Sequence, residues 1–366
     1  MESKQKFDKP TISVSSINTF LTCKRRFYYE KVRNLRPAEE SDALTFGAAI
    51  HEGLAQIFNV LEDARTDGGD PKRESPAQLS LPFGGDGWKE TARESAMAAV
   101  RSAYKLSESD RIKCEVLLDR YIDIYWERDL EGIEVIGVET LSRSPIVIPG
   151  TQCEHPFDLL GYCDAKARDR EGNLILVEHK TTGAMNDDYF EHASIDLQVY
   201  AYAMLFGKDE RVHDVIYDVI QKPRHEMSVG ETDEDFEARK ANAKCPERCR
   251  RKEAETTEDF RKRLADAVDE GYFRRETLHI DPLFLGEARR EICETANEMY
   301  RFRCVYSDGK EEWLRDAIDW PKSTCNCMKW GRCPFMDLCR NHGTTVGIED
   351  KYTKREVREN ADESTD

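Results

Sequence analysis

Apolar residues recur every three to four positions in some stretches and every second position in others, and the alternation of these periods outlines the elements. In "FGAAIHEGLAQIFNVLEDA", Ile50, Leu54, Ile57, Phe58 and Leu61 fall on one stripe, which predicts a helix with a buried face. An earlier helix is expected to begin at a serine cap near Ser15 and to run through "NTFLTCKRRFYYEKV". Helical spacing returns from about Thr91 to Trp126, in "SIDLQVYAYAMLF" and over about 284–303. Strand signals lie between: "IEVIGVETL", "FDLLGYCDAKARD", "NLILVEHKTT" and "VHDVIYDVIQK". The second and third of these flank "REGN", a turn that makes them a hairpin. Residues 63–89 read as a loop, and 222–278 are polar enough for long solvated helices or a mobile insertion. The tail "DKYTKREVRENADESTD" is expected to be disordered.

Composition narrows the classes. The chain has 366 residues, 35% of them charged, and a formal net charge of −17. That length allows one large domain or two ordinary ones. No apolar run reaches the roughly 18 residues of a membrane span, and the first residues lack an apolar signal region, so a cytoplasmic protein is expected. Net acidity argues against indiscriminate polyanion binding, although local basic patches govern that contact. Of twelve cysteines, Cys114, Cys153, Cys163, Cys293 and Cys304 are scattered and read as small buried hydrophobes. Cys245 and Cys249 in "CPERC" read as an accident of a charged helix. Four others crowd into "TCNCMKWGRCPFMDLC": Cys325, Cys327, Cys333 and Cys339. In a cytoplasmic protein such clustering points to metal or catalysis.

The chemistry concentrates on the hairpin. In a strand, Glu178 and Lys180 of "LVEHKTT" share one face, with His179 on the other. Taken alone the pair fits a solvated edge strand better, because E-x-K arises by chance in a charged protein. Pairing through "REGN" would bring Asp164 to the same end of the sheet, and two neighbouring carboxylates repel unless a proton or a cation sits between them. A hard divalent ion held through oxygen answers that need, and a lysine beside it can orient an attacking water. His51 borders the apolar stripe of its helix, and Gln198 and Tyr202 stand four residues apart on one helical face.

In this order the residues resemble the RecB-type branch of the PD-(D/E)xK nuclease superfamily. The matching pieces are His51 in "GAAIH", Asp164 in "GYCD", Glu178 and Lys180 in "EHK", and Gln198 and Tyr202 in "QVYAY". The opening "SVSSINTFLTCKRRFYY" is similar to the branch's N-terminal signature through Ser13, Ser15, Phe20, Cys23 and Phe27, with the spacing slightly off. The resemblance spans about residues 11–60, 135–220 and 320–342. It implies an α/β fold with a restriction-endonuclease-like core: a central mixed sheet flanked by helices, helical insertions and a C-terminal Fe–S region. A single nuclease domain over 1–345 is expected, with core segments 11–60 and 135–220, insertions 63–130 and 222–315, a cysteine cluster at 323–342 and a tail at 346–366.

The same resemblance implies that His51, Asp164, Glu178 and the His179 backbone carbonyl hold Mg²⁺ or Mn²⁺. Lys180 would assist the attacking water, while Gln198 and Tyr202 contact substrate or brace the site. It further implies a [4Fe–4S] cluster on Cys23, Cys327, Cys333 and Cys339, with Cys325 as an alternative to Cys327. The gap between Cys327 and Cys333 is wider than in many relatives, and a zinc site or free thiols are the competing readings. "CKRRFYYEKVRNLR" mixes basic and aromatic residues, so Lys24, Arg25 and Arg26 are candidates for phosphate contact and the rings for base stacking, unless Phe27 and Tyr28 face inward. The expected function is a metal-dependent DNA exonuclease on single-stranded or end-exposed DNA, in recombination, repair or phage DNA processing. It would work in a bacterial, archaeal or phage-infected cell, with a recombination or replication protein as a possible partner. The alternative is a catalytically silent DNA-binding or assembly subunit.

Overall fold

The computed structural model describes residues 9–39, 41–67, 86–103, 105–306, 310–329 and 331–355. The chain enters through a short strand, β1 (Thr11–Ser13), and α1 (Val14–Thr22), which Ser13 caps by accepting the Ser16 amide at 3.1 Å. The cap thus lies two residues before the expected one. A helical turn, α2 (Lys24–Phe27), precedes β2 (Leu35–Pro37) and the long α3 (Asp42–Asp67). The helical stretch expected over 91–126 is two helices, α4 (Asp86–Ser102) and α5 (Glu108–Tyr125), the second restarted by a Ser107 cap. The expected loop over 63–89 is therefore helical at both margins, and its middle, 68–85, lies outside the described residues.

Then come β3 (Glu134–Val147), β4 (Glu154–Arg168) and β5 (Leu174–Thr182), followed by α6 (Asp187–Ala193), α7 (Leu197–Phe206) and β6 (Val212–Gln221). The predicted hairpin is β4–β5, antiparallel with Ala165 opposite Val177 and Arg168 opposite Leu174. Next are α8 (Asp233–Ala241), α9 (Thr257–Ala267), β7 (Phe273–His279), α10 (Pro282–Tyr300), β8 (Arg303–Val305), β9 (Glu311–Trp313), α11 (Met336–Arg340) and β10 (Tyr352–Lys354).

The central sheet is mixed, with six strands in the order β1-β4-β5-β6-β7, and β3 lies along β4 on its other edge. Strand β1 runs parallel to β4, β5 parallel to β6, and β7 antiparallel to β6. Successive residues of the inner strands feed opposite sides. Leu174 and Leu176 join one buried cluster with α1, α7 and α10, whereas Val177 joins a second with α3, α4, α5 and α9. That alternation puts a helical layer on each face, as expected for a sheet buried on both sides.

Four expectations are corrected. The region 222–278 is not only solvated helix, because β7 is a strand of the main sheet. Its "FRRETLH" carries charges toward its neighbours, Arg275 to Asp218 on β6 and Arg274 to Asp187 on α6, so apolar alternation could not reveal it. The tail is not disordered from its start, since β10 pairs with β2 and Tyr352 stacks on Phe335 at 5.9 Å. Residues 356–366 lie outside the described residues. Among the scattered cysteines, Cys114, Cys163 and Cys293 are buried as expected, but Cys153 is exposed and Cys304 half-buried. Cys245 and Cys249 flank a 3₁₀ turn rather than sitting in a charged helix.

Candidate active site

One edge of β4 is shared by two strands. Asp158–Leu160 pair with β1 and Ala165–Arg168 pair with β5, so Gly161 to Asp164 have no strand partner on that edge. Asp164 sits where β4 and β5 part, and its side chain replaces the ladder: Oδ2 accepts the His179 amide at 2.7 Å. The other oxygen lies 3.5 Å from Nδ1 of His51 on α3. Helix α3 comes this close because of Gly47, one turn before His51, where a Cβ would meet Thr181 Oγ1 at 3.0 Å.

Glu178 and Lys180 extend along β5 toward α7. The Lys180 ammonium pairs with the Glu178 carboxylate. Gln198 Nε2 donates to the same carboxylate at 2.9 Å and lies 3.1 Å from the Tyr202 hydroxyl, so the predicted Gln198–Tyr202 face points into the site. Asp196 caps α7 by accepting the Gln198 amide at 2.8 Å, which fixes that residue at the first turn. Gly161 lets α7 lie on β4: a Cβ there would stand 2.7 Å from Leu205 Cδ1 and 2.9 Å from Tyr202 Cε1.

The electrostatics come from enclosure. Burial pushes the Glu178 carboxyl up to about 7; Asp164 adds to this and Lys180 opposes it. Burial acts the same way on Asp164, but the hydrogen bond from His51 and the charges of His179 and His51 overcome it and hold that carboxyl at about 2. Burial works against charge on His51, yet Asp164 outweighs it and the imidazole pKa is raised. Burial pushes Tyr202 up to about 12, and Glu178 contributes.

Each carboxylate therefore has its own partner, and among the described residues no group of three or more His, Cys, Asp or Glu side chains converges tightly enough to define a metal site. The donor chemistry nevertheless fits a hard divalent ion: two oxygen-bearing acids and an imidazole at one fork. The second of those acids resists ionisation where it is buried, which a cation would reverse.

Glu139 is a residue of this neighbourhood that the sequence does not mark. It faces Asp164 across the β3–β4 ladder, between the pairs Val138–Ala165 and Thr140–Cys163, with a left-handed φ of 47°. Burial and then the Asp164 charge raise its pKa. A glutamate in a β run carries no signal of that backbone turn.

Cys23, Cys327, Cys333 and Cys339 are each half-buried in one region, but among the described residues no three of them converge tightly enough to define a metal site. Burial raises the pKa of Cys333, with Cys327 and Cys23 adding to it; burial likewise raises Cys339, where Cys23 and Cys333 add. Cys325 is exposed, with its sulfur 3.3 Å from Ser323 Oγ. The two chain ends are stitched at this point: Ser323 N donates to Cys23 Sγ at 3.4 Å and Asn326 Nδ2 to the Thr22 carbonyl at 2.7 Å. The basic row beside Cys23 is engaged within the protein. Lys24 pairs with Glu298 at 2.5 Å, Arg25 Nε donates to the Trp320 carbonyl at 2.8 Å, and Arg26 meets Glu30 at 3.3 Å. Phe27 and Tyr28 are buried around Trp320, so these rings are not free to stack on bases.

A forked mixed sheet with two acids and a lysine at the parting of its strands defines an α/β enzyme core. A protein-family model described as the PD-(D/E)XK nuclease superfamily matches residues 11–340, and the chain belongs to that superfamily. Its members are generally nucleases that use Mg²⁺ or Mn²⁺. The sequence matches no curated protein. A solved structure titled "Crystal structure of SSO0001" is 14% identical and is covered over 96% of its length by 79% of this chain, at a TM-score of 0.29, a likeness too distant to carry an argument. Among the described residues no helix is long and apolar enough to cross a membrane.

Proposed function

We propose that the chain is a single-domain, metal-dependent DNA exonuclease of the RecB-type branch, acting on single-stranded or end-exposed DNA in recombination, repair or phage DNA processing. The observation that carries this reading is the fork at Asp164, where two sets of side chains are centred on adjoining strands: His51 with Asp164, which also accepts the His179 amide, and Glu178 with Lys180 and Gln198. A degenerate binding subunit has no reason to keep both sets together.

In this reading His51, Asp164, Glu178 and the His179 carbonyl hold Mg²⁺ or Mn²⁺. When bound, the ion lowers the pKa of a coordinated water and neutralises charge on the scissile phosphate. Lys180 orients the attacking water and offsets developing negative charge, which its pairing with Glu178 positions it to do. Gln198 holds Glu178 in place, and Tyr202 offers its hydroxyl and ring edge to substrate. The chain folds its ends together on a [4Fe–4S] cluster ligated by Cys23, Cys327, Cys333 and Cys339. The half-burial of these four thiols, against the exposure of Cys325, supports that set over one containing Cys325. Lys24, Arg25 and Arg26 add a cationic field near the cluster rather than free phosphate forks.

The test is anaerobic purification, iron and sulfide analysis, and cleavage of 5′- and 3′-labelled single and double strands with Mg²⁺ or Mn²⁺. The expected result is a brown protein that shortens strands from an end, and a K180A variant that binds DNA but cuts far more slowly. A wild-type protein that leaves every strand intact with both ions refutes the nuclease reading. An iron-free protein that folds and cuts normally refutes the cluster.

A further inference from the structure

Behind the fork, three neighbouring strands place His179, Asp218 and Arg275 in one transverse row, since His179 is the register partner of Asp218 and Asp218 that of Arg275. Asp218 is fully buried. Its Oδ2 accepts Tyr121 Oη at 2.6 Å and Arg275 Nη2 at 2.7 Å, and lies 3.5 Å from His179 Nδ1. Tyr121 comes from α5, inside the 63–130 insertion, and Arg275 from β7, inside the 222–315 insertion. The Arg275 guanidinium lies 4.0 Å from the Tyr125 ring centroid, and Nη1 reaches Asp129 at 3.4 Å. The His179 ring is enclosed on its remaining sides by Phe58, His51 and Tyr121, with centroids at 5.0, 6.3 and 6.5 Å.

A buried carboxylate with a guanidinium, a phenol and an imidazole around it is costly to assemble and strongly directional once assembled. What it directs is the residue between Glu178 and Lys180. The backbone amide of that residue holds Asp164, so a rotation of the His179 peptide would displace both acids of the fork together.

We propose that Tyr121, Asp218 and Arg275 are positioning residues for the active site: through the His179 ring they fix the backbone of the Glu178–Lys180 segment, and with it the geometry of Asp164. This role deepens the nuclease assignment and presupposes it. It also gives both insertions a task, since each contributes one arm of the clamp.

The test uses the full-length protein and the variants Y121F and D218N, with E115Q as control. Glu115 is a buried carboxylate of the same helix, but it pairs with Arg101 and Arg261, outside the row. Amide hydrogen exchange is followed over residues 176–182 without metal, and the Mn²⁺ dissociation constant is measured without DNA. KM and kcat are then measured on labelled strands. Y121F and D218N are expected to speed exchange in that segment, to raise the Mn²⁺ dissociation constant about 10- to 100-fold and to lower kcat by a similar factor with KM little changed. E115Q is expected to lose thermal stability without moving these readouts. If D218N does not fold, Y121F, which removes one hydroxyl and leaves the ion pair, decides alone. Wild-type exchange and Mn²⁺ affinity in folded Y121F overturn the proposal, as does an equal shift in E115Q. A wild-type protein that neither binds Mn²⁺ nor cuts overturns the nuclease assignment first, and that is seen before any variant is made.

Discussion

Metal binding at the fork is expected to depend on pH in a direction set by Glu178. A cation needs the ionised carboxylate, and burial holds this one near 7 rather than at its ordinary 4.5. Below that value the ionised fraction drops tenfold per pH unit, so apparent affinity weakens about tenfold at pH 6 and about a hundredfold at pH 5, or roughly 1.4 kcal/mol per unit. His51 acts in the same direction, because its raised pKa keeps a proton that ligation must expel. Asp164, held at about 2, stays ionised throughout and adds no slope. The sign for folding without metal is the reverse. An acid with a raised folded pKa contributes stability below 4.5 that is lost as pH climbs through about 7, here about 3 kcal/mol at most. Calorimetric titration with Mn²⁺ across about pH 5 to 8.5, beside thermal melts with and without the ion, reads both. The expected pattern is an affinity that climbs and then levels near neutrality, and an ion-induced rise in Tm that grows with pH. E178Q should keep only the shallower His51 dependence. A dissociation constant that stays flat across this range would refute the assignment of Glu178 as a buried ligand.

Lys180→Ala should lower kcat by about 10²- to 10³-fold in the strand-cleavage assay, as loss of a preorganised cation at a developing charge does, with circular dichroism unchanged. Gly161→Ala pushes a methyl group against Leu205 and Tyr202, so urea unfolding should show a loss of about 1–3 kcal/mol together with reduced cleavage; a neutral variant would mean that α7 does not rest there. Cys339→Ser should lose iron and melt at a lower temperature, whereas Cys325→Ser should keep its iron, both read by metal analysis after anaerobic purification. Arg25→Gln should weaken the junction with Trp320 and lower Tm, while the slope of DNA affinity against salt changes by less than about one charge.

The hairpin and its acids were readable because "NLILVEHKTT" and "FDLLGYCDAK" carry apolar runs that can only be inner strands, with the turn residues between them. The His51 helix and the Gln198–Tyr202 face were readable for the same reason: helical spacing assigns a side chain to a face before its neighbours are known. What escaped has a common cause. Strand β1 is three residues long, β7 is built on ion pairs, and β10 has one aromatic anchor, so each owes its place to partners far away in sequence. Asp218 left a trace, an aspartate in the apolar "VIYDVIQ", but its partners come from segments whose polarity gave no reason to fold them onto the sheet. The basic row at Lys24 was legible as charge but not as structure, because the carbonyl and carboxylates that engage it belong mostly to the other end of the chain.

The division of β4's edge links the forked acids to the junction at Cys23. Had the β4–β5 ladder continued past Ala165, Asp164 and Glu178 would have been an ordinary cross-strand pair, the repulsive arrangement of like charges directly opposite. Strand β1 occupies Asp158–Leu160 instead, so β5 must leave β4 before that point, and the parting turns Asp164 toward His51 and the His179 amide. The short β1 is held in place by the helix at its C-terminal end: α1 runs from it directly to Cys23 and the junction with Ser323 and Asn326. The junction of the chain ends and the forked acids are thus consecutive along one rigid path of about a dozen residues. A cluster that ties the ends together would therefore also hold the wedge that keeps the active-site strands apart.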